Sequence, residues 1–144
     1  MADFPSRMGA PGSWNQNNCP FPWDPKKAIT FFDAINLIDV YLNPTTRPPV
    51  PNNVLSREMV ALFFFHETGF SDIRQKVGKA HPTDSGLGPG VGFGQIEIQN
   101  SDKPLFLQNV FGIKADNALF DKITGDEHFA IQLHCAYLMN LYDK

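Results

Sequence analysis

Glu67 closes the stretch REMVALFFFHE, directly behind three phenylalanines, at a point where an apolar helix is running out. A carboxyl placed there experiences two effects of the same sign. Desolvation beside Phe63, Phe64, Phe65 and Phe70 disfavours the ionised form, and so does the negative end of the helix dipole. A carboxylic acid that keeps its proton near neutral pH is suited to protonating the oxygen of a glycosidic bond. The competing reading makes Glu67 a structural residue at a helix end, paired with Arg74 or His66, since perturbed carboxylates also occur in ion pairs.

A second group of residues follows in GVGFGQIEIQN. Gly92 and Gly94 allow the backbone to come close to a ligand, with Phe93 between them, and Gln95 offers both a donor and an acceptor. In the QIEI stretch, alternation puts Gln95 and Glu97 on one face and Ile96 and Ile98 on the other. Glu97 is therefore the candidate second carboxylate, and a separation of about 6.5–9.5 Å from Glu67 would suit an inverting hydrolysis with water between the two. The plainer alternative is an exposed strand glutamate. The Thr68 hydroxyl is placed to bond nearby backbone at the helix end, and Tyr137 either lines the cleft or belongs to the core. Asp72 and Asp84 read as loop-capping residues. His66, His81, His128 and His134 lack metal-ligand spacing, so neither a metal nor a cofactor is expected.

HETGF at 66–70 followed by GFGQI at 92–96 resembles the E-S-G-F and G-L-M-Q-I signatures of soluble lytic transglycosylases and goose-type lysozymes, and AYLMNLY at 136–142 resembles the Y-L-x-x-L helix of that group. The similar region spans 54–142. REMVALFFFHETG at 57–69 also resembles the catalytic helix of family 19 chitinases, with HET in common. GVGFGQI at 90–96 departs from their G-R-G-P-I-Q-L loop at Val91, Phe93 and Gly94. The resemblance implies a lysozyme-like domain acting on peptidoglycan, with Glu67 as general acid. It implies that Glu97 decides between hydrolysis and anhydro-sugar formation, and that Gln95, Gly92, Phe93, Gly94, Thr68 and Tyr137 hold the sugar. A chitinase, or a glycan-binding module without turnover, are the alternatives. The A-Y-N-x-G helix of lytic transglycosylases has no counterpart before Lys144, which leaves His66, Tyr137 or an arm residue such as Trp14 to support the acid.

The elements that must position these groups read as one mainly α domain of the α+β class, residues 1–144, with a central buried helix and a small β-hairpin or loop wall. Residues 1–23, with four prolines, read as an irregular arm docked by Trp14, Phe21 and Trp23. Asp24-Pro25 starts a helix that runs to Leu42, and NPTTRPPVPNN at 43–53 is a non-helical linker. A second helix runs from Val54 to a left-handed cap at Gly69. Any sheet lies within 71–94, Asp102-Lys103-Pro104 opens a short helix, and Thr124 to Glu127 has capping-box spacing before the last helix. Thirteen Phe suggest a phenylalanine-rich core.

A net charge of −3 without a dense Lys/Arg stripe argues against nucleic acid or an anionic membrane as partner, and no apolar run approaches the length of a membrane span. The expected partner is a polysaccharide and the expected state a monomer. No secretory signal is read at the start of the chain, although an enzyme of this kind works at the cell wall, in the periplasm or outside the cell. Cys19 and Cys135 either form one bridge or remain free thiols.

Overall fold

The computed structural model of the protein describes residues 31–144. Among them are five helices, one π-helical turn and a two-stranded antiparallel sheet, an α+β arrangement. The expected helix start at Asp24-Pro25, the docking of Trp14, Phe21 and Trp23, and Cys19 all lie outside the described residues.

Helix α1 (Phe31–Leu42) ends at the expected leucine. It packs on helix α2 (Arg57–Thr68) and on the long last helix, with Ala34, Ile35, Ile38 and Leu42 buried at helical spacing. Turns fill the proline-rich linker that follows. The Arg47 guanidinium pairs with Asp143 just past the last helix and so ties the linker to the far end of the chain.

Helix α2 starts three residues later than expected. Val54 and Leu55 are held in a turn by the Pro51 carbonyl, and Ser56 is the N-cap, its hydroxyl accepting from the Met59 amide at 3.2 Å. Gly69 closes the helix at φ 64°, with its amide bonded to the Phe65 carbonyl and that of Phe70 to Phe64, which is the paired-bond left-handed cap. The helix is not buried all round. Val60, Ala61, Phe64 and the polar Glu58 form its buried face, whereas Phe63 and Phe65 are about 40% exposed. Successive helical residues are turned by roughly 100°, so three consecutive phenylalanines cannot share one face.

Strands β1 (Arg74–Lys76) and β2 (Leu87–Val91) form the small sheet within the expected segment. Val91 then pairs with Ile96 through two backbone bonds, closing a tight turn over Gly92 to Gln95. Helix α3 (Lys103–Phe106) continues as a π-helical turn, Leu107–Phe111. Helix α4 (Asn117–Thr124), not foreseen from sequence, is capped by Asp116 and buries Leu119, Phe120 and Ile123. The cap of helix α5 (Glu127–Tyr142) also differs from expectation. Asp126 accepts from the Phe129 amide, while the Thr124 hydroxyl bonds back to Phe120 inside α4. Cys135 on α5 is a buried free thiol, and burial raises its pKa. No described helix is long and apolar enough to cross a membrane.

At Gly69 a Cβ would meet nothing within 4 Å, so the cost of Gly69→Ala is one of left-handed backbone conformation alone, about 1–2 kcal/mol. Urea unfolding should show a lower midpoint with an unchanged slope.

Candidate functional site

A cavity of about 650 Å³ opens where the end of α2, the turn after β2, strand β1 and helix α5 meet, and Glu67, Gln95, Glu97 and Tyr137 all border it. Glu67 reaches it by helical geometry. Phe63 lies one turn earlier on the same face and lines the cavity too, while Phe64, rotated by one residue, enters the core. The carboxyl of Glu67 is exposed to solvent. The apolar wall expected of the three phenylalanines therefore does not enclose it, although its place at the carboxyl end of the helix is as expected.

The alternation expected in QIEI is present although only a single bridge residue stands in for a strand. Ile96 and Ile98 are buried and Gln95 and Glu97 half-buried, with Gln95, Ile96 and Glu97 all bordering the cavity. Gln95 sits at φ 55°, and its amide nitrogen donates to the carbonyls of Ile73 at 3.0 Å and Gly92 at 2.8 Å. Both amide protons are thereby used, and what the side chain offers a ligand is its Oε1 acceptor. Glu97 Oε2 accepts from Asn100 at 3.1 Å.

Two of the partners that the sequence offers Glu67, Arg74 and Tyr137, are engaged elsewhere. Arg74 donates to the Gly88 carbonyl at 2.7 Å and lies 3.4 Å over the Phe120 ring. Tyr137 donates to Asp102 at 2.9 Å, and Lys144 bonds the other Asp102 oxygen at 2.6 Å. These bonds, the one from Lys144 first, hold Asp102 below the usual carboxylate range, and burial with Asp102 beside it pushes the tyrosine up to about 12. Among the described residues Glu67 has no ion-pair partner.

Three expected ligand-holding residues are structural. Phe93 is 2% exposed and stacks on Phe64 at 5.7 Å inside the core. Thr68 shares its hydroxyl proton between the carbonyls of Phe93 at 2.9 Å and Phe64 at 3.1 Å and accepts from Ser71. Gly92, at φ 83°, donates its amide to Ile73 and turns the chain. The glycines of this segment make room for the protein's own side chains. A Cβ at Gly88 would stand 2.6 Å from Gln75 Oε1, one at Gly90 3.2 Å from the Gln95 Cβ, and one at Gly94 2.7 Å from His134 Nδ1.

Gln75, Lys103 and His134 also border the cavity, and the sequence carries no site signal for them. Gln75 lies in a three-residue strand too short to show a pattern, and His134 sits inside an apolar helical run where core packing is the default reading. Among the described residues no cluster of His, Cys, Asp or Glu could hold a metal ion.

Among the described residues Asp72 is the carboxyl displaced furthest upward. Both its oxygens are enclosed and lack a hydrogen-bond partner among the described residues. Burial, with Glu127 and Asp126 nearby, raises its pKa to about 7. It is thus a half-buried residue with an enclosed carboxyl rather than the loop cap that the sequence suggests. Comparison of the chain with protein-family models, with curated proteins and with solved structures gives no match.

Two outcomes follow from this geometry. Gly94→Ala forces a methyl group into the His134 ring and should destabilise the protein by roughly 1–3 kcal/mol, the usual cost of overpacking, measured by chemical denaturation. For Asp72, both states are protonated below about pH 4. Between about pH 4 and about pH 7 only the folded state keeps its proton, so stability falls as pH rises through that window, and the loss is complete above it. Asp72→Asn, which mimics the neutral acid, should melt with wild type near pH 4. By pH 8 it should melt higher by on the order of 3 °C, allowing for partial solvent screening. Parallel melting curves of the two proteins from pH 4 to pH 8 would contradict the enclosed acid.

Proposed function

We propose that the protein is a glycosidase that cleaves β-1,4 linkages of peptidoglycan, as a muramidase or lytic transglycosylase, with Glu67 as general acid. One observation supports this above the others: Glu67, from the end of a helix, borders the same cavity as Gln95 and Glu97, from the glycine-rich turn. The cavity volume, about 650 Å³, lies within the range of small-ligand sites. In this reading the ligand supplies what the phenylalanines do not. A sugar seated over Phe63 would cover the exposed Glu67, exclude water and favour the protonated acid that the leaving oxygen requires.

Glu97 holds the second role. As a base it would orient and deprotonate water for attack on the anomeric carbon, giving a reducing end. Without that step a hydroxyl of the substrate closes the anhydro ring. The HET triplet keeps chitin as the alternative polymer. The exposure of Glu67 favours one second reading, a glycan-binding module without turnover.

Glu67→Gln should lower cleavage of purified cell walls by about 10²–10⁴-fold while sugar binding and the melting temperature stay close to wild type. Cleavage retained by the variant would remove Glu67 from the chemistry. Binding without cleavage by the wild type would favour the module. Running the assay in parallel on chitin oligomers, with mass analysis for anhydro ends, separates substrate class and product. Under the hydrolytic form of the reading, Glu97→Gln suppresses the reducing-end product.

A further inference from the structure

We propose that His134 reads the N-acetyl amide of the bound sugar from the floor of the cavity, an inference that rests on the glycosidase reading above. The side chain is 7% exposed and yet borders the cavity. Its ring is pinned by aromatic neighbours, edge-on to Phe64 at 5.1 Å and tilted over Phe63 at 5.7 Å. The Nδ1–Cε1–Nε2 edge is turned toward the Cα of Gly94, where any side chain would collide with it. Among the described residues neither ring nitrogen has a hydrogen-bond partner. Neither nitrogen is among the side-chain atoms sealed from solvent without a partner, so a group entering the cavity can reach them, and a polar group this deep gains from such a bond. Its position on the cavity wall makes a ligand the group able to supply it.

The chemistry of the ring selects the ligand. Burial lowers the pKa of His134 to about 4, so at neutral pH the imidazole is uncharged, with one N–H donor and one acceptor nitrogen. The two nitrogens diverge on either side of Cε1, so a ligand group bonds one of them, and the carbonyl oxygen of a secondary amide is a strong acceptor for the N–H. Gln95, with its own amide protons held by backbone carbonyls, adds an acceptor beside it. A sugar bearing a hydroxyl in place of the acetamido group would lack the carbonyl.

The test compares Glu67→Gln, which binds without turnover in this reading, with the same protein carrying His134→Phe or His134→Gln. The probes are a β-1,4 tetramer of N-acetylglucosamine and cellotetraose, titrated by calorimetry. The parent should prefer the acetylated tetramer by about tenfold, the value of one well-placed hydrogen bond. His134→Phe, which keeps the ring packing, should lose that preference, and His134→Gln should recover part of it. In the wild-type protein, ¹⁵N resonances of the His134 ring should report a neutral imidazole at pH 7 and shift on addition of the acetylated tetramer. A preference unchanged in His134→Phe, or resonances that do not move on binding, would make His134 a packing residue only and leave the glycosidase reading standing. Binding of neither tetramer by the parent would overturn the His134 assignment, while cleavage of purified cell walls judges the glycosidase reading separately.

Discussion

The site depends on the ring of Phe64. It enters the core at the last turn of α2 and meets Phe70, just past the helix cap, at 6.0 Å, Phe93 of the glycine-rich turn at 5.7 Å, and His134 of α5 at 5.1 Å. Those contacts join three of the elements that border the cavity. The Thr68 hydroxyl fastens the same junction through polar bonds, linking the end of α2 to the Phe93 carbonyl and the Ser71 amide. The aromatic cluster fixes how deep each element sits, and the hydroxyl fixes their register. Phe70 takes its place at φ 66°, a left-handed conformation that a bulky side chain adopts only at a cost. Its ring is 1% exposed, so burial offsets that cost.

With this junction set, the placement of Glu67 follows from helical rotation. One residue of the phenylalanine run is given to the core and its neighbour to the cavity, and the residue a turn beyond that neighbour is the glutamate. The same geometry leaves Glu67 in water. An acid at the open rim of a cavity differs from one sealed in apolar side chains, because its environment is completed by what binds.

Much of this arrangement was legible in the sequence wherever a local rule decided it. The cap at Gly69, the small sheet before Val91 and the facing of Gln95 and Glu97 follow from backbone conformation and side-chain alternation, which tertiary context does not overrule here. Long-range packing decided the rest. FFF reads as a buried run until helical rotation distributes it. Asp126 rather than Thr124 caps α5 because Thr124 is still inside α4, a helix whose signal, an Asp cap before Leu119, Phe120 and Ile123, lies in eight residues. Gln75 and His134 gain significance only from the glycines they pack against.

Those glycines bear most directly on how the site works. A glycine-rich segment beside a candidate acid invites the reading that backbone is being cleared for a ligand. Here Gly88 and Gly94 are cleared for Gln75 and His134, and Gly90 for Gln75 and Gln95, three side chains that border the cavity. The turn is therefore close-packed against the residues that shape the floor, and close packing resists displacement. Polar groups with one orientation are useful for recognising an uncharged ligand, since they need not reorganise on binding. Glu67, on the exposed rim, is free to respond to whatever the floor holds in place.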